Sequence, residues 1–350
     1  MIIKEDAKNI SIPSSKSDLL RPGGGRINSI DAIKCLGILL VIEGHVRGAM
    51  GITVYDTLSG LMLYSFNMPI FFFVSGFLAY NDSLNAIEIL KKLLQKFLFL
   101  VVPAVIFRFF MDLLQGSNPL HILYDGYGKY WFTITLFECF LIYYVVILVL
   151  RKKNTQMVVL GIIALIGVCL LSICGEIGPQ IIDMNHLTKY FQYFIVGLYA
   201  MHRKNLFERI MRNEWIKATA LIVFFTLLFI INQLSIPASV LHALRDIVLR
   251  YLGTFIIVSF FVCKDYVFDV DTRINKMICL IGRKSLAIYL LQYFFIPNFK
   301  TWPQWVYGLD EFTVHVFSFA YTIVITLMCL LFIELLSNSR IIRKYVLGQR

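Results

Sequence analysis

The run from Asp31 to Met50, DAIKCLGILLVIEGHVRGAM, is long and apolar enough to cross a bilayer, yet it holds Lys34, Glu43 and His45. A spanning helix needs about 20 mainly apolar residues. Working outward, comparable stretches recur near 57–80, 94–114, 130–150, 156–174, 189–202, 217–234, 246–263, 277–296 and 312–336. The whole chain of 350 residues is 58% hydrophobic and only 16% charged. A soluble protein carries about a quarter charged residues and somewhat under half apolar ones. These proportions exclude a single water-soluble core, a disordered chain and a secreted disulfide scaffold. The fold expected is all-α, a polytopic membrane helix bundle of about ten transmembrane helices.

A net charge of +11 would suit a nucleic-acid binder, but the cations sit in short clusters between the apolar runs, where they set topology. No nucleic-acid partner is therefore expected, whereas membrane lipid surrounds the bundle. Counted by alternate loops, 23 Lys and Arg fall on one side and five on the other. The five are Arg47, Lys129, Lys189, Arg245 and Lys300. An excess of this size places the rich side, with both termini, in the cytoplasm. Residues 1–27 read as a polar cytoplasmic tail, 28–338 as the transmembrane domain and 339–350 as a short basic tail. The first tail has no apolar segment after its positive charges, so it is not expected to be a cleaved signal. Seven cysteines, none in a CxxC pair, read as small buried apolar residues with no metal site. No repeat, direct or inverted, stands out.

Ionisable groups inside spans cost about 2.5–3.5 kcal/mol each on insertion scales, so they are candidates for function. Lys34 and His45 are eleven residues apart. At about 100° per residue they share one helix face, about 16 Å apart along the axis. Gly37, Ile38 and Val41 fill the stripe between them. Lys34 then lies near the cytoplasmic mouth and His45 beyond the midplane. Such a face could hold an anionic donor at Lys34 and bring its reactive end to a neutral imidazole that takes a proton from a hydroxyl. Snorkelling of Lys34 and an interhelical hydrogen bond from His45 explain position alone equally well. Glu43 points away from His45 and reads as structural.

Further blocks follow in order: Phe66-Asn67-Met68-Pro69, Phe71-Phe72-Phe73, Ser75-Gly76, the basic stretch Lys91, Lys92, Lys96 ending at Pro103, and Trp131-Phe132 with Leu136-Phe137-Glu138. Tyr193-Phe194 with Gly197, and Ile281-Gly282 with Ser285-Leu286 and Tyr289-Leu290, close the series. Together with Arg26, Asp31, Lys34, Gly44 and His45 they resemble the acyltransferase-3 family of integral membrane proteins, near its fucose 4-O-acetylase-like branch. The resemblance runs from residue 26 to about 336. It implies a transmembrane acyltransferase domain that moves acyl groups, commonly acetyl from acetyl-CoA, onto hydroxyls of cell-surface or lipid-linked glycans. The family's first-span motif of a basic residue, ten residues and then His falls on Lys34 and His45. Where the family's ninth span commonly reads Tyr-Leu-x-His, this chain has Tyr289-Leu290-Leu291-Gln292. Glutamine exchanges hydrogen bonds but does not titrate.

The resemblance implies a multi-pass enzyme of the cell (inner) membrane, with acyl-CoA expected as donor, a glycan or glycolipid as acceptor and no metal. His45 is the expected general base, with Lys34 and Glu138 as its catalytic company. Lys34, Arg26 and Arg108 are expected at the donor, and Trp131, Ser75, Arg250 and Gln292 at the acceptor. Arg108 and Arg250 could instead pair with Glu138 and Glu334. His315 reads as structural, and Asp125, Trp302, Trp305 and Tyr307 as loop residues that suit either sugar stacking or interfacial anchoring. A polysaccharide exporter or small-molecule transporter is the rival reading, in which the same buried charges line a path.

Overall fold

A computed structural model describes residues 27–52, 57–81, 84–118, 128–150, 152–174, 184–233, 244–297, 299, 310–339, 342 and 346–348. Among these residues there is no strand, and a helix lies over each of the ten predicted stretches. The first is α1, Asn28–Ala49. Leu58–Tyr64 (α2) and Pro69–Ala79 (α3) cover the second, and Ala86–Lys96 (α4) with Val102–Leu114 (α5) the third. Single helices follow at Trp131–Val149 (α6), Lys153–Cys174 (α7) and Met184–His202 (α8). Lys204–Arg212 (α9) is short and amphipathic, and Glu214–Gln233 (α10) follows it. Arg250–Cys263 (α11), the single turn Asp265–Phe268 (α12), Arg273–Arg283 (α13), Ser285–Leu291 (α14) and Glu311–Leu336 (α15) complete the bundle.

Five helical runs among the described residues, 58–79, 86–114, 128–149, 214–231 and 311–336, are long and apolar enough alone to cross a membrane. A sixth arises if α13 and the helix beyond it, bent by 63°, form one broken span. Outward-facing apolar side chains such as Ile222, Phe225 and Phe229 on α10, and Leu327, Leu331 and Leu335 on α15, remain exposed. A surface of this kind suits lipid. Hydropathy alone does not mark α1, because Asp31, Lys34, Glu43 and Arg47 interrupt it. Its burial explains how it holds them: α1 runs between α13, α15, α11, α14 and α3.

Three local devices position the interior. Pro69 cannot donate a backbone hydrogen bond, so it sits at the start of α3 and separates α2 from it. The turn between them is closed by the Asn67 side chain, which accepts from the Met68 amide at 2.7 Å. Between α4 and α5 a π-turn spans Phe97–Val101, just ahead of Pro103, whose missing N–H disturbs the regular ladder. At the third break, α13 ends at Arg283 and α14 leaves at a new angle.

Close helix contacts come from glycine. A Cβ on Gly76 would overlap the Phe194 carbonyl, and one on Gly197 would overlap the Phe73 carbonyl, so α3 and α8 touch backbone to backbone. Small residues let membrane helices approach in this way.

Candidate active site

The Lys34–His45 face of α1 borders a row of cavities. At the Lys34 end, a cavity of about 250 Å³ is lined by Lys34, Lys96, Arg283, Ser75 and Ser285, with Phe71, Phe132 and Phe140 as apolar walls. Ile38 and Val41, one and two turns along from Lys34, line the same space. At the His45 end lies a second cavity of about 250 Å³, lined by His45, Trp131, His186, Lys189, Tyr190 and Arg250. Val41, Met68 and Tyr289 belong to both. They form the partition between the two spaces. A third, larger cavity of about 750 Å³ lies beyond His45, with Gly48, Lys129, Tyr293 and Pro297 in its wall. Gly44, His45, Tyr64 and Trp131 face both cavities at this end. The shared face inferred from helical spacing is therefore the face on which these spaces lie.

His45 is held at both ring nitrogens. Nδ1 lies 3.1 Å from the Gln292 Oε1, and Nε2 lies 3.1 Å from the Tyr293 hydroxyl. The Tyr293 ring packs against the imidazole with centroids 4.9 Å apart. Tyr289 donates to the Lys129 carbonyl at 2.7 Å, and the Tyr293 hydroxyl lies 3.0 Å from the same oxygen. These residues come from the part of the broken segment that follows Lys284. The bend there aims Tyr289, Gln292 and Tyr293 at His45.

Next to His45 the cavity wall is an aromatic stack. Trp131 and His186 lie with centroids 3.8 Å apart and planes within 16°, and Tyr190 stacks on Trp131 at 5.2 Å. The Arg250 guanidinium sits 5.6 Å from the Tyr190 ring centre and is fully buried. A flat aromatic wall beside two cations can hold a sugar ring and an attached polar group.

The other face of α1 carries a separate cluster. Glu43 and Arg47 are buried and paired at 3.4 Å, and His315 Nδ1 lies 2.8 Å from both. Arg47 also donates to Ser59 at 3.0 Å and Ser318 at 3.4 Å. Arg47, counted from sequence as a loop charge, is thus a core residue, and Glu43 serves α1–α15 packing.

The residues expected from sequence separate into groups. His45, Trp131 and Arg250 meet at one cavity, and Lys34 and Ser75 at the other. Ser75, expected with the acceptor, therefore stands at the Lys34 end. Gln292 is fully buried behind the imidazole and lines none of these cavities. Glu138 lines none of them either. Arg108, expected near Lys34, pairs with Asp112 at 2.7 Å and packs against Gly128, which borders the cavity beyond His45. Glu334 pairs with Lys284 at 3.1 Å. Arg26, Asp125, Trp302, Trp305 and Tyr307 lie outside the described residues.

A family model described as an acyltransferase domain, that of the acyltransferase-3 family, matches residues 27–334. The chain belongs to the acyltransferase-3 family. Neither the curated proteins nor the solved structures contain a significant match to it. Membership and the apolar helices together make it a multi-pass membrane acyltransferase. Sequence reasoning missed Lys96 and Arg283 at the Lys34 end and His186, Lys189 and Tyr190 at the other. Lys96 looked like an ordinary loop cation, and His186 had no motif around it. Tyr293 directly follows the Tyr-Leu-x-Gln segment, so its neighbourhood was the one available signal.

Proposed function

We propose that this acyltransferase moves an acetyl group from cytoplasmic acetyl-CoA to a hydroxyl of a cell-surface or lipid-linked glycan, with His45 as general base. The observation that carries the reading is that two cavities lie along one face of α1 and share Val41, Met68 and Tyr289, with His45 just past the partition. The bundle has ten spans with both termini inside, so the Lys34 end faces the cytoplasm. Lys34, Lys96 and Arg283 receive the phosphates of CoA there, while its arm carries the thioester toward the partition. The acceptor sugar enters from the far side, lies against Trp131 and Tyr190, and is held by Lys189 and Arg250.

The chemistry needs one proton carrier. The acceptor O–H loses its proton to a ring nitrogen of His45 as oxygen attacks the thioester carbonyl. The carbon–sulfur bond then breaks, and the imidazolium returns the proton to the departing sulfur. An O-acetyl ester and free CoA thiol leave, and His45 is neutral again.

The test uses membranes containing the protein beside membranes containing His45→Ala at matched abundance, both given acetyl-CoA labelled in the acetyl group. Label should enter glycan or glycolipid only with the parent protein. Equal labelling by both would remove His45 from the reaction.

A further inference from the structure

Gln292 occupies the place where the family commonly carries histidine, and its surroundings leave its amide one orientation. The side chain is fully buried, and its Nε2 donates to the Tyr289 carbonyl at 3.1 Å. A backbone carbonyl only accepts, so the NH₂ end must face it. The opposite end of the amide, Oε1, is then the atom 3.1 Å from His45 Nδ1. Two acceptors cannot share a hydrogen bond, so Nδ1 carries the proton and donates to Gln292. In a neutral imidazole the lone pair is consequently on Nε2.

That nitrogen faces the Tyr293 hydroxyl, which also lies 3.0 Å from the Lys129 carbonyl. Tyr293 has one proton and two acceptors for it. When an acceptor hydroxyl arrives at Nε2, Tyr293 can turn its proton to Lys129, and no buried polar group is left unpaired. After proton transfer, the imidazolium keeps its Nδ1–H bond to Oε1, now strengthened by charge.

We propose that Gln292 is a positioning residue that fixes His45 as the Nδ1–H tautomer and so presents Nε2 as the base. This rests on the reading of His45 as general base. Gln292 binds neither donor nor acceptor. Because the amide does not titrate, the tautomer stays the same wherever the imidazole is neutral. A histidine at this position could donate or accept and would leave the choice open.

The test reads the tautomer directly, apart from turnover. The full-length protein in lipid nanodiscs is labelled with ¹⁵N-histidine, and the His45 signals are assigned by their loss in His45→Gln. At a pH where the ring is neutral, the parent should show a protonated Nδ1 and an unprotonated Nε2. Gln292→Met removes the acceptor at similar volume, so the Nδ1–H signature should weaken into a mixture. Acetyl transfer should then fall about 10- to 100-fold in kcat, the range seen when a residue that orients a metal-bound imidazole is lost, with the KM for acetyl-CoA unchanged. Gln292→Glu keeps an acceptor at Nδ1 and should restore the signature. A parent protein protonated at Nε2, or a Gln292→Met protein whose His45 signals match the parent, would overturn the proposal. Loss of label dependence on His45 would strike the base reading alone, since the nitrogen shifts report the tautomer in either case.

Discussion

Lys34 is one of three cations around its cavity, together with Lys96 and Arg283. Removing it should therefore weaken donor binding without abolishing the reaction. A hydrogen bond to a charged group contributes about 1.5–3 kcal/mol, so Lys34→Met should raise the KM for acetyl-CoA about 10- to 100-fold and change kcat little. Steady-state kinetics with varied acetyl-CoA decide it, and a loss confined to kcat would contradict this placement. Arg47 makes the opposite kind of case. It is fully buried with Glu43, and removing one member of a buried pair costs about 3–5 kcal/mol because the other charge is stranded. Arg47→Met should lower thermal stability sharply in detergent, whereas the double change Glu43→Gln with Arg47→Met should recover part of it. At this scale the shared face of Lys34 and His45 was legible in the sequence, because eleven residues of helix define one face whatever surrounds it. It was not legible for Arg47, which lies near the end of an apolar run where a loop cation and a buried one look alike. The contact between Gln292 and His45 joins residues 247 positions apart, and nothing local announces it.

The helices were readable because each apolar run is long and bounded by polar or charged residues, and their breaks were readable only in part. Pro69 announces the gap between α2 and α3 through its missing donor. The 63° bend after α13 contains no proline, only Gly282 and Ser285 around Lys284. Its cause lies in packing: a Cβ on Gly282 would overlap the Asp31 carbonyl of α1, so α13 presses against α1 before the chain turns. The α3–α8 seam gives the sharper prediction. Overpacking a core usually costs about 1–3 kcal/mol, but the obstacle to a side chain at Gly197 is the backbone of Phe73, which cannot rotate aside. Gly197→Leu should separate α3 from α8 and cost more than that range. Reduced folded yield and a lower melting temperature by fluorescence-detected size exclusion would show it, while parent-like stability would disprove the backbone contact.

Across the whole molecule, the asymmetry of basic residues and the row of cavities point the same way. In the proposed reaction the Lys34 end takes a cytoplasmic donor, and the His45 end serves an acceptor on the far side. On that proposal the acyl group crosses within the protein, past Val41, Met68 and Tyr289, which line both cavities, and CoA itself stays in the cytoplasm. Composition and charge clusters made the membrane bundle and its orientation legible as expectations, but the meeting of two cavities depends on tertiary packing that one sequence does not display. The most direct measurement uses sealed inside-out vesicles carrying the protein, with labelled acetyl-CoA added outside, where the cytoplasmic face is exposed, and glycan acceptor enclosed within. Label should appear on the enclosed acceptor with the parent protein and fail to appear with His45→Ala. Label confined to acceptor added on the outside, or equal labelling inside by both proteins, would contradict transfer through the α1 face.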